Sequence, residues 1–121
     1  MVTQKKLLLI FRNPPFSSSA NRDNLDIALA CSAFDIPVSL LFLNDAVLQL
    51  HKNQQSHLLE QKDLTKTLNA LEMYDIDQCY VIDEHLARYQ LSKDDLILNC
   101  HSLAREKLAS FIHDFDVVIN L

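Results

Sequence analysis

The chain has 121 residues, 49% of them apolar and 22% charged, with a net charge of −5. That balance fits one packed domain burying roughly two thirds of its unfolded surface, and excludes a disordered chain. It contains no glycine, where an average chain of this length carries about eight, so neither glycine-rich phosphate loop can be built.

The acidic balance lacks the Lys and Arg surplus that phosphate binding needs, and direct contact with nucleic acid is not expected. Cys31, Cys79 and Cys100 are widely spaced and odd in number, which argues against a disulfide framework or a zinc site. The histidines show no metal-ligand spacing, and neither metal nor cofactor is expected. Lys5-Lys6 leads into an apolar run too short for a signal peptide. No run reaches membrane-spanning length. The expected setting is cytoplasmic, with reduced thiols. With no glycine, tight turns must fall to Asn and Asp.

In chain order, Lys6-Leu7-Leu8-Leu9-Ile10-Phe11 is continuously apolar, as a strand buried on both faces must be. Arg12-Asn13-Pro14-Pro15-Phe16 breaks out of it, and Ser17-Ser18-Ser19 offers helix caps. A helix is predicted from about Ala20 to Phe34. Leu25, Ala28, Leu29 and Ser32 lie on one face, with Ile27, Cys31 and Phe34 beside it. So wide an apolar arc predicts contact with the sheet and with something else.

Val38 to Leu43 is a second buried strand. Asn44-Asp45 caps a short helix from Ala46 to Leu50. His51 to Ser56 is a polar loop, and His51 and His57 are read as solvated. Asp63 opens a helix aligned on Leu64, Leu68 and Leu71. Gln78 to Ile82 is the third strand, and Asp83 to Gln90 a short helix. Asp95-Leu96-Ile97-Leu98 is read as a fourth strand. Ser102 is read as the cap of a helix to about His113. Val117 to Leu121 is the fifth strand. Strands alternating with helices predict an α/β fold: a three-layer α/β/α sandwich with a mostly parallel five-stranded sheet.

Ligands in such sheets collect at the carboxyl ends of the strands. Arg12-Asn13, Asn44-Asp45, Asp83-Glu84-His85 and Asn99-Cys100-His101 are placed there. Cys100-His101 resembles an activated thiol, since a nearby imidazolium lowers a thiol pKa from about 8.5. Strand neighbours point to opposite faces, however, so the reading favoured is a structural thiol beside a surface histidine. Cys79 as a persulfide carrier is weighed against a buried, inert core cysteine. Cys31 is read as a packing residue. Asp45, Asp83 and Glu84 are an acid–base group or an interface rim, and helix-dipole preference alone accounts for them.

Three segments carry a resemblance. They are Ala20-Asn21-Arg22-Asp23-Asn24-Leu25-Asp26-Ile27-Ala28-Leu29-Ala30, Asn44-Asp45-Ala46-Val47-Leu48-Gln49-Leu50, and Tyr74-Asp75-Ile76-Asp77-Gln78-Cys79-Tyr80-Val81. In this order and spacing the chain resembles the DsrE/DsrF-like sulfur-relay proteins, in their TusC/DsrF branch. The resemblance implies a heterohexamer with two copies each of TusB-like, TusC-like and TusD-like subunits. Such a complex passes persulfide sulfur through a TusE-like acceptor towards 2-thiouridine at the tRNA wobble position. A related complex serves sulfur oxidation. The implied role here is a non-catalytic subunit; the alternative is a sulfurtransferase using Cys79. A stand-alone nucleotide-binding module is disfavoured by the missing glycines. The resemblance puts the sulfur-carrying position of the TusD-like subunit at Ile82, give or take one residue. Cys79 matches the cysteine of the TusC motif instead. Ala46 stands where the family usually has glycine, so the turn there must avoid a positive φ.

Overall fold

A computed structural model describes residues 6–12, 20–50, 70–74, 76 and 78–120. The elements are β1 (Leu7–Phe11), α1 (Ala20–Ala33), β2 (Val38–Phe42), β3 (Cys79–Ile82), α2 (Asp83–Arg88), β4 (Cys100–Leu103), α3 (Leu108–His113) and β5 (Val117–Asn120). Turns of 3-10 helix cover Asn44–Leu50, Leu71–Tyr74, Lys93–Asp95 and Arg105–Lys107.

The strands form one sheet in the order β4-β3-β2-β1-β5. Every pairing is parallel, with Leu7 opposite both Val38 and Val117. The chain therefore steps outward from β1 to β4 and returns to the far side of β1 for β5. Right-handed crossovers keep the connecting helices on one face while the chain steps one way, and move them when it reverses.

The packing follows that rule. One face joins Leu9, Phe11, Leu40, Phe42, Cys79 and Val81 to Leu25 and Ala28 of α1, Leu50, Leu71, and Leu86 of α2. Phe11 and Phe42 stack in it at 4.5 Å. The other face sets Leu8, Ile10, Leu41 and Ile82 under Leu108, Phe111 and Ile112 of α3. Strands β1 and β2 are buried on both faces, with only Ser39 half-buried, which is why they read as unbroken apolar runs.

Helix α1 places Leu25 and Ala28 against the sheet and leaves Ile27, Leu29 and Cys31 half-buried. It closes with the Ile36 N–H donating to the Cys31 carbonyl and the Asp35 N–H to that of Ser32. Asp35 takes φ 57° to do so, in the position a glycine usually holds. Helix α2 closes likewise, the Leu91 N–H reaching the Leu86 carbonyl and Gln90 taking φ 56°. Asn44 is the third described residue with positive φ, at 51°. Asp and Asn fill two of these three turns, as the missing glycines require. Ala46 is fully buried and is not among the residues with positive φ, which passes to Asn44 instead.

Two expectations are corrected. Asp95 to Leu98 is not the fourth strand. Ser92 caps the Lys93–Asp95 turn with a reciprocal hydrogen bond to Asp95. Leu96 and Leu98 are buried as the chain passes under the first face. The Ile97 N–H donates to the Leu50 carbonyl at 2.7 Å. Alternating burial thus mimics a strand, but the segment makes only an isolated bridge at Leu96 and takes no place in the five-stranded sheet. The strand is Cys100–Leu103, in register with Cys79 to Ile82. Ser102 lies inside it, opposite Val81, and does not cap a helix. The helical turn begins at Arg105 and α3 at Leu108. The proposed caps at Ser17 to Ser19, the His51 to Ser56 loop, His57 and most of the Asp63 helix lie outside the described residues.

Candidate functional site

Three strand ends meet in one bonded cluster at the carboxyl edge of the sheet. After β2, the Asn44 N–H donates to His85 Nδ1 at 2.9 Å. His85 sits in the first turn of α2, directly after β3, and is 7% exposed. Arg88, one turn on, donates from Nη1 to Asn44 Oδ1 at 3.3 Å. After β4, the Arg105 N–H donates to Glu84 Oε2 at 2.7 Å. An Nδ1 that accepts leaves the proton of the neutral ring on Nε2. Burial holds the His85 pKa below its usual value; nearby Arg88 lowers it further, Glu84 opposes and Arg105 adds to the lowering. His85 is thus a neutral acceptor tying the β2 turn to α2. The sequence placed it at this edge but carried no sign of its bond to Asn44.

Asp45 is half-buried, while Asp83 and Glu84 are exposed. The Glu84 carboxylate binds the backbone of Arg105, so its placement is met by structure as well as by the helix dipole. Arg12 follows β1 and is exposed. Asn13 lies outside the described residues.

The cysteines stand elsewhere. Cys79 opens β3, at its amino end, and is 2% exposed. Cys100 opens β4 directly opposite it in register. This corrects the placing of Asn99-Cys100-His101 at a carboxyl end: they begin the strand. Burial pushes the Cys100 thiol up to about 12, with Lys93 opposing weakly. Cys100 is buried and His101 exposed, as alternation demands, and the His101 ring lies 5.2 Å from that of Tyr80. The two do not form a thiol–imidazole pair. Cys31, half-buried in α1, also has its pKa raised by burial. None of the three cysteines is in a disulfide. Ile82, at the carboxyl end of β3, is fully buried on the α3 face.

A cleft of about 510 Å³ opens at the opposite, amino-terminal edge of the sheet, lined by Lys6, Pro37, Ser39, Gln78, Tyr80 and Phe115 among others. Among the described residues no cluster of His, Cys, Asp and Glu could hold a metal, and no helix is long and apolar enough to cross a membrane.

The DsrE/DsrF-like family matches residues 5–121. The chain belongs to the DsrE/DsrF-like family. It is 40% identical over 117 residues to the TusC homolog of Pseudomonas aeruginosa, covering 97% of this chain and 98% of that one. It is 35% identical to the TusC homolog of Haemophilus influenzae, covering 85% and 88%. The crystal structure of the ychN protein from E. coli superimposes with a TM-score of 0.81 at 17% identity, covering 98% of this chain and all of that one. That likeness gives the fold: a three-layer DsrE/DsrF-like sandwich around five parallel strands.

Proposed function

We propose that this DsrE/DsrF-like chain is a non-catalytic subunit of a TusBCD-type sulfur-relay complex. Its partners are TusB-like and TusD-like subunits, two copies of each in a heterohexamer, with a TusE-like protein accepting the sulfur. The relay ends in 2-thiolation of the wobble uridine of tRNA, in the cytoplasm. Relatives of matching length carry the TusC name, which supports the subunit assignment.

The observation that carries the non-catalytic role is the placing of the thiols. A relay thiol must reach a donor persulfide and be reached in turn, and it attacks as thiolate. Cys79 is 2% exposed, and burial raises the pKa of both Cys31 and Cys100. The resemblance assigns the carrier position to Ile82, which has no sulfur. In this reading the chain holds and orients the subunit that carries the persulfide.

The test is mass spectrometry of the assembled complex after loading by a cysteine desulfurase. The added sulfur atom is expected on the TusD-like subunit. Sulfur on Cys79 that is then passed to the acceptor would overturn the reading.

A further inference from the structure

We infer that Cys79 and Cys100 are a dithiol that oxidises reversibly to a disulfide and so fastens the edge strand β4 to β3. The inference rests on strand register and burial, and not on the sulfur-relay reading. Cys79 and Cys100 are direct partners in the parallel pairing of β3 with β4. Neighbouring strands lie about 4.8 Å apart, inside the span of about 4.4–6.8 Å that a disulfide allows between Cα atoms. Both side chains enter the same core cluster, with Leu40, Leu86 and Leu98. One residue on, Tyr80 and His101 are the next partners, on the opposite face, and their rings lie 5.2 Å apart. That contact is the same register seen from the other side. Among the described residues no group of three His, Cys, Asp or Glu could hold a metal, so the chemistry left to the pair is thiol–disulfide exchange.

The fold sets when the pair reacts. In the closed sheet Cys79 is 2% and Cys100 9% exposed. Burial pushes the Cys100 thiol up to about 12, so almost none of it is thiolate. Strand β4 has four residues and pairs with β3 alone among the described strands. Short edge segments open locally, and opening returns water to Cys100. Its thiolate then attacks a small disulfide such as oxidised glutathione, forming a mixed disulfide and releasing one glutathione. As β4 closes, the Cys79 thiol gives up its proton and attacks Cys100 Sγ, releasing the second glutathione. The two electrons and two protons lost by the pair leave on the two glutathione thiols. The new bond pins the amino end of β4. Just past its other end the Arg105 N–H already donates to Glu84 Oε2 at 2.7 Å, so oxidation holds the strand at both ends. A relaxed disulfide wants its Cβ atoms about 3.8 Å apart, closer than the strand spacing. Strand β4 must therefore draw in, and a strained bond of this kind is readily reduced. The couple responds to an oxidised thiol pool and is no permanent staple.

The experiment uses the full chain carrying Cys31→Ala, which leaves only the pair. It is equilibrated in glutathione buffers from fully reduced to fully oxidised, quenched in acid and its intact mass measured. Each buffer is reached both from folded chain and from chain refolded in it, so slow access cannot hide the result. The oxidised chain is expected to lose two hydrogens and to carry no added glutathione. Trypsin cuts after Arg88 and Lys93, so a linked pair of peptides identifies the bond. Excess reduced glutathione should restore both thiols. Amide hydrogen exchange in β4 should slow by about tenfold on oxidation, and should not slow when Cys100→Ala is added. Glutathione on single cysteines with no bond between them, or both thiols intact in the oxidised buffer from either direction, overturns the inference. So does a bond that forms but leaves exchange in β4 unchanged.

Discussion

Asn44 and His85 are locked together by a backbone N–H that donates to Nδ1 across 2.9 Å. The bond exists only while the ring is neutral, because a protonated Nδ1 has no lone pair to offer. Burial and Arg88 hold the folded pKa of His85 below its ordinary value. A group whose folded pKa lies below its unfolded one binds more protons in the unfolded chain. Stability therefore falls as pH drops below about 6.5, by at most about 1.4 kcal/mol per pH unit for this proton. The loss stops growing below the folded pKa. His85→Gln offers a neutral acceptor that does not titrate. The difference in unfolding free energy between wild type and this variant should shrink or reverse between neutral and mildly acidic pH. Urea unfolding at several pH values reads it. Equal pH slopes in both proteins would show that His85 does not titrate on unfolding as argued.

The same bond predicts a second effect. His85→Leu keeps the volume but leaves the Asn44 N–H without its acceptor. The bond is part-buried, so the lost acceptor should cost about 1 kcal/mol, at the low end of the range for an unsatisfied donor. His85→Leu should therefore be less stable than His85→Gln at neutral pH, as measured by denaturant midpoints. Equal midpoints would mean that the imidazole contributes only packing.

Much of the fold was legible because β1 and β2 are buried on both faces and cannot be mistaken for anything amphipathic. The lack of glycine pointed to Asn and Asp for the tight turns in general but not to positions; Asp35 and Asn44 fit it, and Gln90 does not. β4 was misplaced because it is an edge strand: Cys100 is buried but His101 is exposed, and Cys-His-Ser-Leu has no apolar run to show. The neighbouring Leu96 and Leu98 supply the more strand-like pattern while packing outside the sheet. The carboxyl-edge cluster was legible as residues and not as bonds. Nothing in Asp83-Glu84-His85 marks the histidine as the buried member, because the contact that buries it comes from Asn44, distant in sequence.

Assembly gives a third prediction. Phe34 is 78% exposed and Met73 84%, and the β5 edge adds Val117 and Val118. Apolar surface of this kind is usually covered by partners. Expressed alone, the chain should self-associate or dissolve poorly. Expressed with TusB-like and TusD-like subunits, it should elute in one complex with them. A well-behaved monomer that ignores both would contradict the subunit reading.

A fourth prediction concerns tRNA. With a net charge of −5, the isolated chain should release few counterions from a polynucleotide. No salt-dependent gel shift is expected at micromolar protein, and tRNA should be met downstream of the relay. Micromolar binding that weakens steeply with added salt would contradict this.

The cysteines test the central claim. Cys79 and Cys100 sit side by side at the amino ends of β3 and β4, 2% and 9% exposed, and the Cys100 thiol is raised to about 12. Alkylation of the native chain near pH 8 should spare Cys100, since almost none of it is thiolate there, and label it after unfolding. Replacing Cys31, Cys79 and Cys100 together by Ala should then leave wobble-uridine thiolation intact. Alanine is preferred to serine because it buries no new hydroxyl. Each buried site should lose about 1 kcal/mol of stability through the missing sulfur's contacts. Thiouridine content is measured in tRNA from cells that lack the native subunit and carry the triple variant. Should Cys79→Ala alone abolish thiolation while the complex still assembles, Cys79 carries sulfur, and its burial in the free subunit must be relieved on assembly.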